Sequence, residues 1–369
     1  MKNIPFVDLK KQYLSIKTEI DASISSVINE TAFIGGKYVN KFEKEFSDVY
    51  DVKHCISVAN GTDSLYIILK MLGVGPGDEV ITVANSWISS SESISQTGAK
   101  PVFIDINPDF YTIDEEKIIN AISTKTKAIM PVHLFGQMCD MDKLLEIAEK
   151  FEIPIIEDCA QSHFSEFKGK RAGTFGIAGS FSFYPGKNLG AYGDAGCIIT
   201  NDNDLAMKCK IFARHGALEK HKHLIEGINS RMDGLQASVL SAKLPYIIEW
   251  TNYRINVAGF YDKHLKGIKQ LQLPKRRADC KHTFHLYVIR CEQRDALITF
   301  LKERGIETAI HYPTALPNLK AYEYLQHAEL DFPVATSYQS KILSLPIYPE
   351  LSESDVEYIA GAINEFYSK

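Results

Sequence analysis

The sequence has no long apolar run. Nothing in its 369 residues approaches the ~18 consecutive apolar side chains that a bilayer-spanning helix needs. The start, Met1-Lys2-Asn3-Ile4-Pro5, has no signal-peptide pattern, so a cytoplasmic protein without membrane contact is expected. The chain also lacks a paired-cysteine framework. Its 7 cysteines are dispersed with no CxxC spacing, which reads as reduced thiols and not as a disulfide scaffold. It lacks a basic excess as well. A net charge of −5 offers no wide cationic face for nucleic acid, so any anionic ligand must be met locally. There are no internal repeats, no low-complexity tracts and no metal-ligand spacing. Hydrophobic content of 45% with 24% charged residues is ordinary for a globular chain.

What is there is alternation. Apolar residues at helical spacing run through 8–29, and a second helix is predicted over 39–50. Strand and helix signals then take turns. Strands are predicted at 54–59, 79–83, 101–106, 128–132 and 153–157, and helices at 62–71, 88–96, 114–122 and 141–151. Such alternation predicts βαβ units and a mostly parallel sheet with helices on both faces. The strands are short continuous apolar runs, as expected where both faces are buried. Beyond Thr200 the pattern changes. Helices are predicted at 233–244, 247–265, 294–304 and 353–367, with strands at 284–291 and 307–311. The expected architecture is a large α/β domain over 1–249 and a small C-terminal α/β domain over 250–369.

Two segments carry chemistry. Glu157-Asp158-Cys159-Ala160-Gln161 follows the apolar run 153–156, so the Asp158 carboxylate is placed at the carboxyl end of a central strand, the edge where open α/β sheets bind ligands. Twenty-nine residues later Lys187 stands in Ser182-Phe183-Tyr184-Pro185-Gly186-Lys187-Asn188-Leu189-Gly190. Aromatic and glycine neighbours argue against a solvated lysine, and desolvation lowers an amine's pKa. An acid that pairs with a pyridinium nitrogen and a lysine that condenses with an aldehyde are the minimum equipment for pyridoxal phosphate. Asn60-Gly61-Thr62 offers a helix start, with Thr62 as its expected cap, where backbone N–H groups bind phosphate, and Ser182 can add a hydroxyl. Trp87, at another strand end, is a candidate to stack on the cofactor ring. Gly73-Val74-Gly75-Pro76-Gly77 resembles a dinucleotide loop, yet it ends a helix and leads into a strand, the reverse of what that motif needs.

With these motifs in view the chain resembles the DegT/StrS-type nucleotide-sugar aminotransferases. The resemblance runs from Ile4-Pro5-Phe6-Val7-Asp8 through Asn60-Gly61-Thr62, Glu157 to Gln161, Ser180 to Lys187 and Asn229-Ser230-Arg231-Met232 to Leu345-Pro346-Ile347-Tyr348-Pro349. It implies the PLP-dependent transferase fold type I, aspartate aminotransferase-like. It implies that Lys187 links to the cofactor, that Asp158 pairs with the ring nitrogen and that Gln161 sits beside the ring. Trp87 stacks, and Gly61, Thr62 and Ser182 hold the phosphate. Asn229 reaches that phosphate from the neighbouring subunit of a homodimer with shared sites.

His163, Tyr184, Lys220, His311 and Tyr312 are implied substrate contacts. Phe183 to Gly190 together with Gln161-Ser162-His163 is most similar to the subgroup that aminates carbon 3 of dTDP-3-keto-6-deoxyhexoses with L-glutamate, for glycan or secondary-metabolite biosynthesis. Amination at carbon 4, an amino-acid aminotransferase using Arg231 or Arg290 for the α-carboxylate, and a non-catalytic regulator are the alternatives. Relatives that dehydrate sugars carry histidine in place of the lysine, and this chain keeps Lys187.

Overall fold

The computed structural model describes residues 2–368. Its central sheet joins a three-stranded and a four-stranded unit. The strand order is Lys100–Ile104, Glu79–Val83, Thr126–Met130, Ile156–Asp158, Ala178–Ser182, Gly196–Thr200, His54–Val58, and parallel bridges Ile129 to Ile155 and Val132 to Asp158 connect the two units. Gly196–Thr200 runs antiparallel to both its neighbours, and the remaining pairings are parallel. The expected mostly parallel sheet is therefore present. Its strands are buried along nearly their whole length, as expected of a mostly parallel sheet covered on both faces.

The C-terminal region builds a second core. The antiparallel strands Leu271–Gln272, Tyr287–Cys291 and Ile342–Leu345 pack with the helices Ile247–Leu265, Arg294–Lys302 and Glu353–Tyr367 around Tyr261, Tyr287, Leu301 and Ile359. The N-terminal segment joins this core, because Ile4 is buried in it and pairs with Ile306. Among the described residues no helix is long and apolar enough to cross a membrane.

Several elements depart from the expectation. The predicted helix over 8–29 is two helices, Leu9–Ser15 and Lys17–Asn29, because Ile16 leaves helical geometry at φ −131° and ψ 32°. The predicted strand at 307–311 forms only one bridge, Ala309 to Ser344. A hairpin of Ala217–Glu219 and Lys222–His223 stands where the sequence showed no periodicity. Thr62 is not a cap. The helix Gly61–Met71 is capped by Asn60, whose side chain accepts from the Asp63 N–H at 2.8 Å.

Candidate active site

One cavity of about 670 Å³ opens along the carboxyl edge of the sheet. It is lined by Gly61, Thr62, Trp87, Asp158, Gln161, Ser182, Tyr184, Lys187, His311 and Tyr312. Ten of the residues singled out in the sequence, drawn from five separate segments, thus meet at one place.

Asp158 ends the strand Ile156–Asp158, 3% exposed. One carboxylate oxygen accepts from the Ser90 hydroxyl at 2.8 Å, and the other accepts from the Ala160 N–H at 3.1 Å. Burial pushes its pKa up, while these two donors and the Lys187 charge pull it back. Lys187 sits on the wall of the cavity, and burial lowers its amine to about 8 against the opposing pull of Asp158. Its loop is a tight turn in which the Lys187 N–H donates to the Tyr184 carbonyl at 2.8 Å. Gly190 closes the turn, since a Cβ there would stand 2.2 Å from the Pro185 carbonyl oxygen.

The end of the cavity at Gly61 is a cradle. The helix Gly61–Met71 starts beside Ser182, and a Cβ on Gly61 would lie 2.7 Å from the Ser182 Cβ. Only glycine lets the helix N-terminus approach that hydroxyl so closely. Thr62 Oγ1 hydrogen-bonds with Ser89 Oγ at 2.7 Å, so a third hydroxyl joins the group. Exposed N–H groups, a helix dipole and hydroxyls are a phosphate-binding set. A cradle that a Cβ would fill, a buried carboxylate with remaining acceptor capacity and a nearby amine of lowered pKa match the three polar features of pyridoxal phosphate: phosphate, ring nitrogen and aldehyde.

Gln161 is locked from both ends. Its Oε1 accepts from the Phe135 N–H and its Nε2 donates to the Tyr312 hydroxyl, each at 2.8 Å. Trp87 is largely exposed and lies 5.9 Å from the Tyr312 ring. His311 bonds Ser344 Oγ at 2.9 Å and stacks on Phe6 at 5.7 Å, and burial holds its imidazole at about 4, hence neutral.

Three expected contacts lie elsewhere. His163 is fully buried and does not line the cavity. It packs against Phe181 and Phe183 with ring centroids 5.4 and 5.6 Å away, and burial lowers its imidazole to about 3. An aromatic shell thus separates it from the cavity of its own chain. Lys220 lines a separate depression of about 440 Å³ with Arg214, His221, His223 and Arg231. Asn229 is exposed near that depression and accepts from Arg231 Nε at 3.0 Å. Neither Lys220 nor Asn229 lines the cavity of its own chain.

Other residues of the site escaped the sequence reading. Ser89 and Ser90 belong to the serine-rich start of the helix Ser89–Gln96, a visible signal of hydroxyls at a strand's carboxyl end. Arg254 and His285 line the cavity from the C-terminal core. Lys243, 1% exposed, donates to the Gly190 carbonyl at 2.7 Å and so braces the Lys187 loop. The buried trio His133, Glu157 and Cys159 is a structural knot and not a metal site. Glu157 accepts from His133 and from the N–H groups of Gly173, Phe175 and Gly176, and the Cys139 N–H occupies the other imidazole nitrogen.

Known proteins resemble this chain along its length. Residues 14–364 match the family described as "DegT/DnrJ/EryC1/StrS aminotransferase family". A protein of Geobacillus stearothermophilus named "Pleiotropic regulatory protein" is 42% identical, covering 99% of each chain. The "dTDP-3-amino-3,6-dideoxy-alpha-D-galactopyranose transaminase" of Aneurinibacillus thermoaerophilus is 41% identical over 98% of this chain and 99% of that one. The crystal structure of S. venezuelae DesV superposes with a TM-score of 0.98 at 37% identity, covering 100% of both chains.

Proposed function

Since the chain belongs to the DegT/DnrJ/EryC1/StrS aminotransferase family, we propose that it moves an amino group from L-glutamate to carbon 3 of a dTDP-linked 3-keto-6-deoxyhexose. The product is a dTDP-3-amino-3,6-dideoxyhexose. The observation that carries the chemistry is the meeting of the Lys187 amine and the Asp158 carboxylate in one cavity that ends in the Gly61 and Ser182 cradle. The position on the sugar and the nucleotide are supported by the full-length likeness to the transaminase of Aneurinibacillus thermoaerophilus.

The residues fit pyridoxal phosphate as follows. Gly61, Thr62 and Ser182 would hold the phosphate, Asp158 the ring nitrogen, and Gln161 and Trp87 the ring. When bound, the cofactor supplies an aldehyde that takes up amino groups and a ring that spreads the electrons released when a C–H bond breaks. The protein does the rest. Asp158 stays ionised by pairing with a cation, helped by the Ser90 hydroxyl and the Ala160 N–H. Lys187 Nζ, with its pKa near 8, is poised to lose and regain a proton around neutral pH, which general acid–base work at the donor's Cα and at the sugar carbon requires. Gln161 keeps its orientation because the Phe135 N–H fixes its carbonyl end, and a second Nε2–H remains after the bond to Tyr312. His311 is held neutral, so with Tyr184 and Tyr312 it offers the sugar polar groups without charge.

The homodimer belongs to the same proposal. Phe33, Ile34, Leu218, Leu224 and Ile225 are exposed, an apolar surface beside the basic hairpin that a second copy would cover. In the dimer, Asn229 of the partner subunit reaches the cofactor phosphate, and Lys220 of the partner subunit meets the sugar diphosphate. This assigns work to two residues that do not line their own cavity.

One observation favours a second reading, a regulator: the Geobacillus stearothermophilus relative is named "Pleiotropic regulatory protein". Purified protein mixed with L-glutamate separates the two, because a transaminase loses its yellow absorbance within the half-reaction and a sensor keeps it. Mass spectrometry of mixtures with 3-keto and 4-keto sugars, each linked to dTDP or UDP, then reads the substrate. A protein that aminates only 4-keto sugars, or none, overturns the carbon-3 assignment.

A further inference from the structure

Arg254 is the one arginine that lines the cavity among the described residues. It projects from the helix Ile247–Leu265 and is 4% exposed. All three of its hydrogen bonds leave from Nη1, to the carbonyls of Ile347 at 2.9 Å, Phe284 at 3.3 Å and His285 at 3.5 Å. Its Nε and Nη2 therefore have no partner among the described residues. Among the described residues no carboxylate forms an ion pair with it, and Glu350 is the acid whose charge reaches it. The buried imidazole of His285, on the same cavity wall, is pushed down chiefly by burial and then by the charges of Lys187 and Arg254. A buried guanidinium without a bound anion is costly, and its free edge is a planar fork shaped for a carboxylate.

The arginines weighed in the sequence do not line the cavity of their own chain. Arg231 lies in the second depression and bonds Asn229. Arg290 donates to the Pro108 carbonyl at 2.8 Å and lies over the Tyr338 ring.

We propose that Arg254 binds a carboxylate of the amino donor and so selects an amino acid for the first half of the reaction. The assignment rests on the transaminase reading above. It also explains a cation within the electrostatic reach of the same imidazole as Lys187: the donor's amine and carboxylate are only a few bonds apart.

The test uses the holoenzyme, with Arg254→Lys as the mild variant that keeps a donor for the carbonyls and Arg254→Met as the severe one. Calorimetry with glutarate, which cannot react, should give binding to the wild type, none with neutral glutaramide, and an affinity about tenfold or more lower in Arg254→Lys. KM for L-glutamate should rise in parallel while KM for the keto-sugar stays within about twofold. Unchanged glutarate affinity in a variant that melts like wild type overturns the proposal, as does an equal loss for both substrates. If both variants fail to fold, wild-type protein that binds glutaramide as well as glutarate is the overturning result. Wild-type protein that takes up no cofactor overturns the transaminase reading itself, and the donor site with it.

Discussion

Asp158 and Lys187 each oppose the pKa shift that burial imposes on the other. Burial raises the acid and lowers the amine, and the pair's mutual attraction works against both shifts. The result is an amine held near 8 next to a carboxylate with two further donors. Borohydride reduction of the holoenzyme should therefore fix the cofactor on the peptide containing Lys187, and Lys187→Ala should leave nothing to fix. Asp158→Asn should lower the glutamate half-reaction on the order of a hundredfold or more, as removal of a preorganised charge partner does elsewhere.

The same amine predicts a stability trend in cofactor-free protein. Its folded pKa of about 8 lies below the ordinary 10.5, so between those values the unfolded chain binds more protons than the folded one. Stability then rises with pH across that window and the contribution is lost below it. Thermal melts from pH 8 to 10.5 should show a steeper rise for wild type than for Lys187→Met.

Gly61 and Ser182 define the cradle, and their substitutions should weaken cofactor retention without removing the covalent link. Gly61→Ala forces a Cβ to 2.7 Å from the Ser182 Cβ, an overpacking that costs about 1–3 kcal/mol. Ser182→Ala removes a hydroxyl next to an expected phosphate, about 1.5–3 kcal/mol for a bond to a charged group. Cofactor release followed by absorbance during dialysis measures both.

Much of this was legible in the sequence for physical reasons. Glu79–Val83, Met141–Phe151 and Ile247–Leu265 were bounded correctly because local apolar periodicity and turn residues agree there. Asp158 and Lys187 stood out because polar groups interrupt apolar or aromatic runs. Arg254 and Lys243 did not stand out. A lone cation on an amphipathic helix has the signature of a surface charge, and only the carbonyls it meets across the fold, Ile347 or Gly190, show that it is buried. The hairpin 217–223 is short and mostly polar, so nothing in its pattern distinguished it from a solvated loop. His163 is a different case. The resemblance carried by Gln161-Ser162-His163 implied a substrate contact, but the chain turns this side chain into the aromatic core against Phe181 and Phe183.

That burial sets up an acid-side prediction. His163 and His282 are lowered to about 3 and His311 to about 4, all chiefly by burial. Each ordinary value is 6.5, so below it the unfolded chain binds protons that the folded chain refuses. Stability should fall as pH drops from 6.5 toward 4. His163→Leu, which keeps an apolar side chain of similar size in the core, should flatten part of that fall. It should leave KM for the sugar nucleotide within about twofold. A large rise in that KM would restore His163 as a substrate contact.

The shared site can be tested without any structure of the dimer. Asn229→Asp should place a carboxylate against the cofactor phosphate, and like-charge repulsion would silence that site. Lys187→Ala silences it by removing the amine. In a two-fold dimer whose sites each take Lys187 from one chain and Asn229 from the other, a mixed dimer of these two variants has one site with both defects and one site with neither. Dissociating and remixing equal amounts makes about half the dimers mixed, so about a quarter of wild-type activity should return. If Asn229 instead serves the cavity of its own chain, every site in the mixture still carries one defect, and mixing restores nothing. The position of Asn229 beside Arg231, away from the cavity lined by Lys187, is why recovery is the expected result.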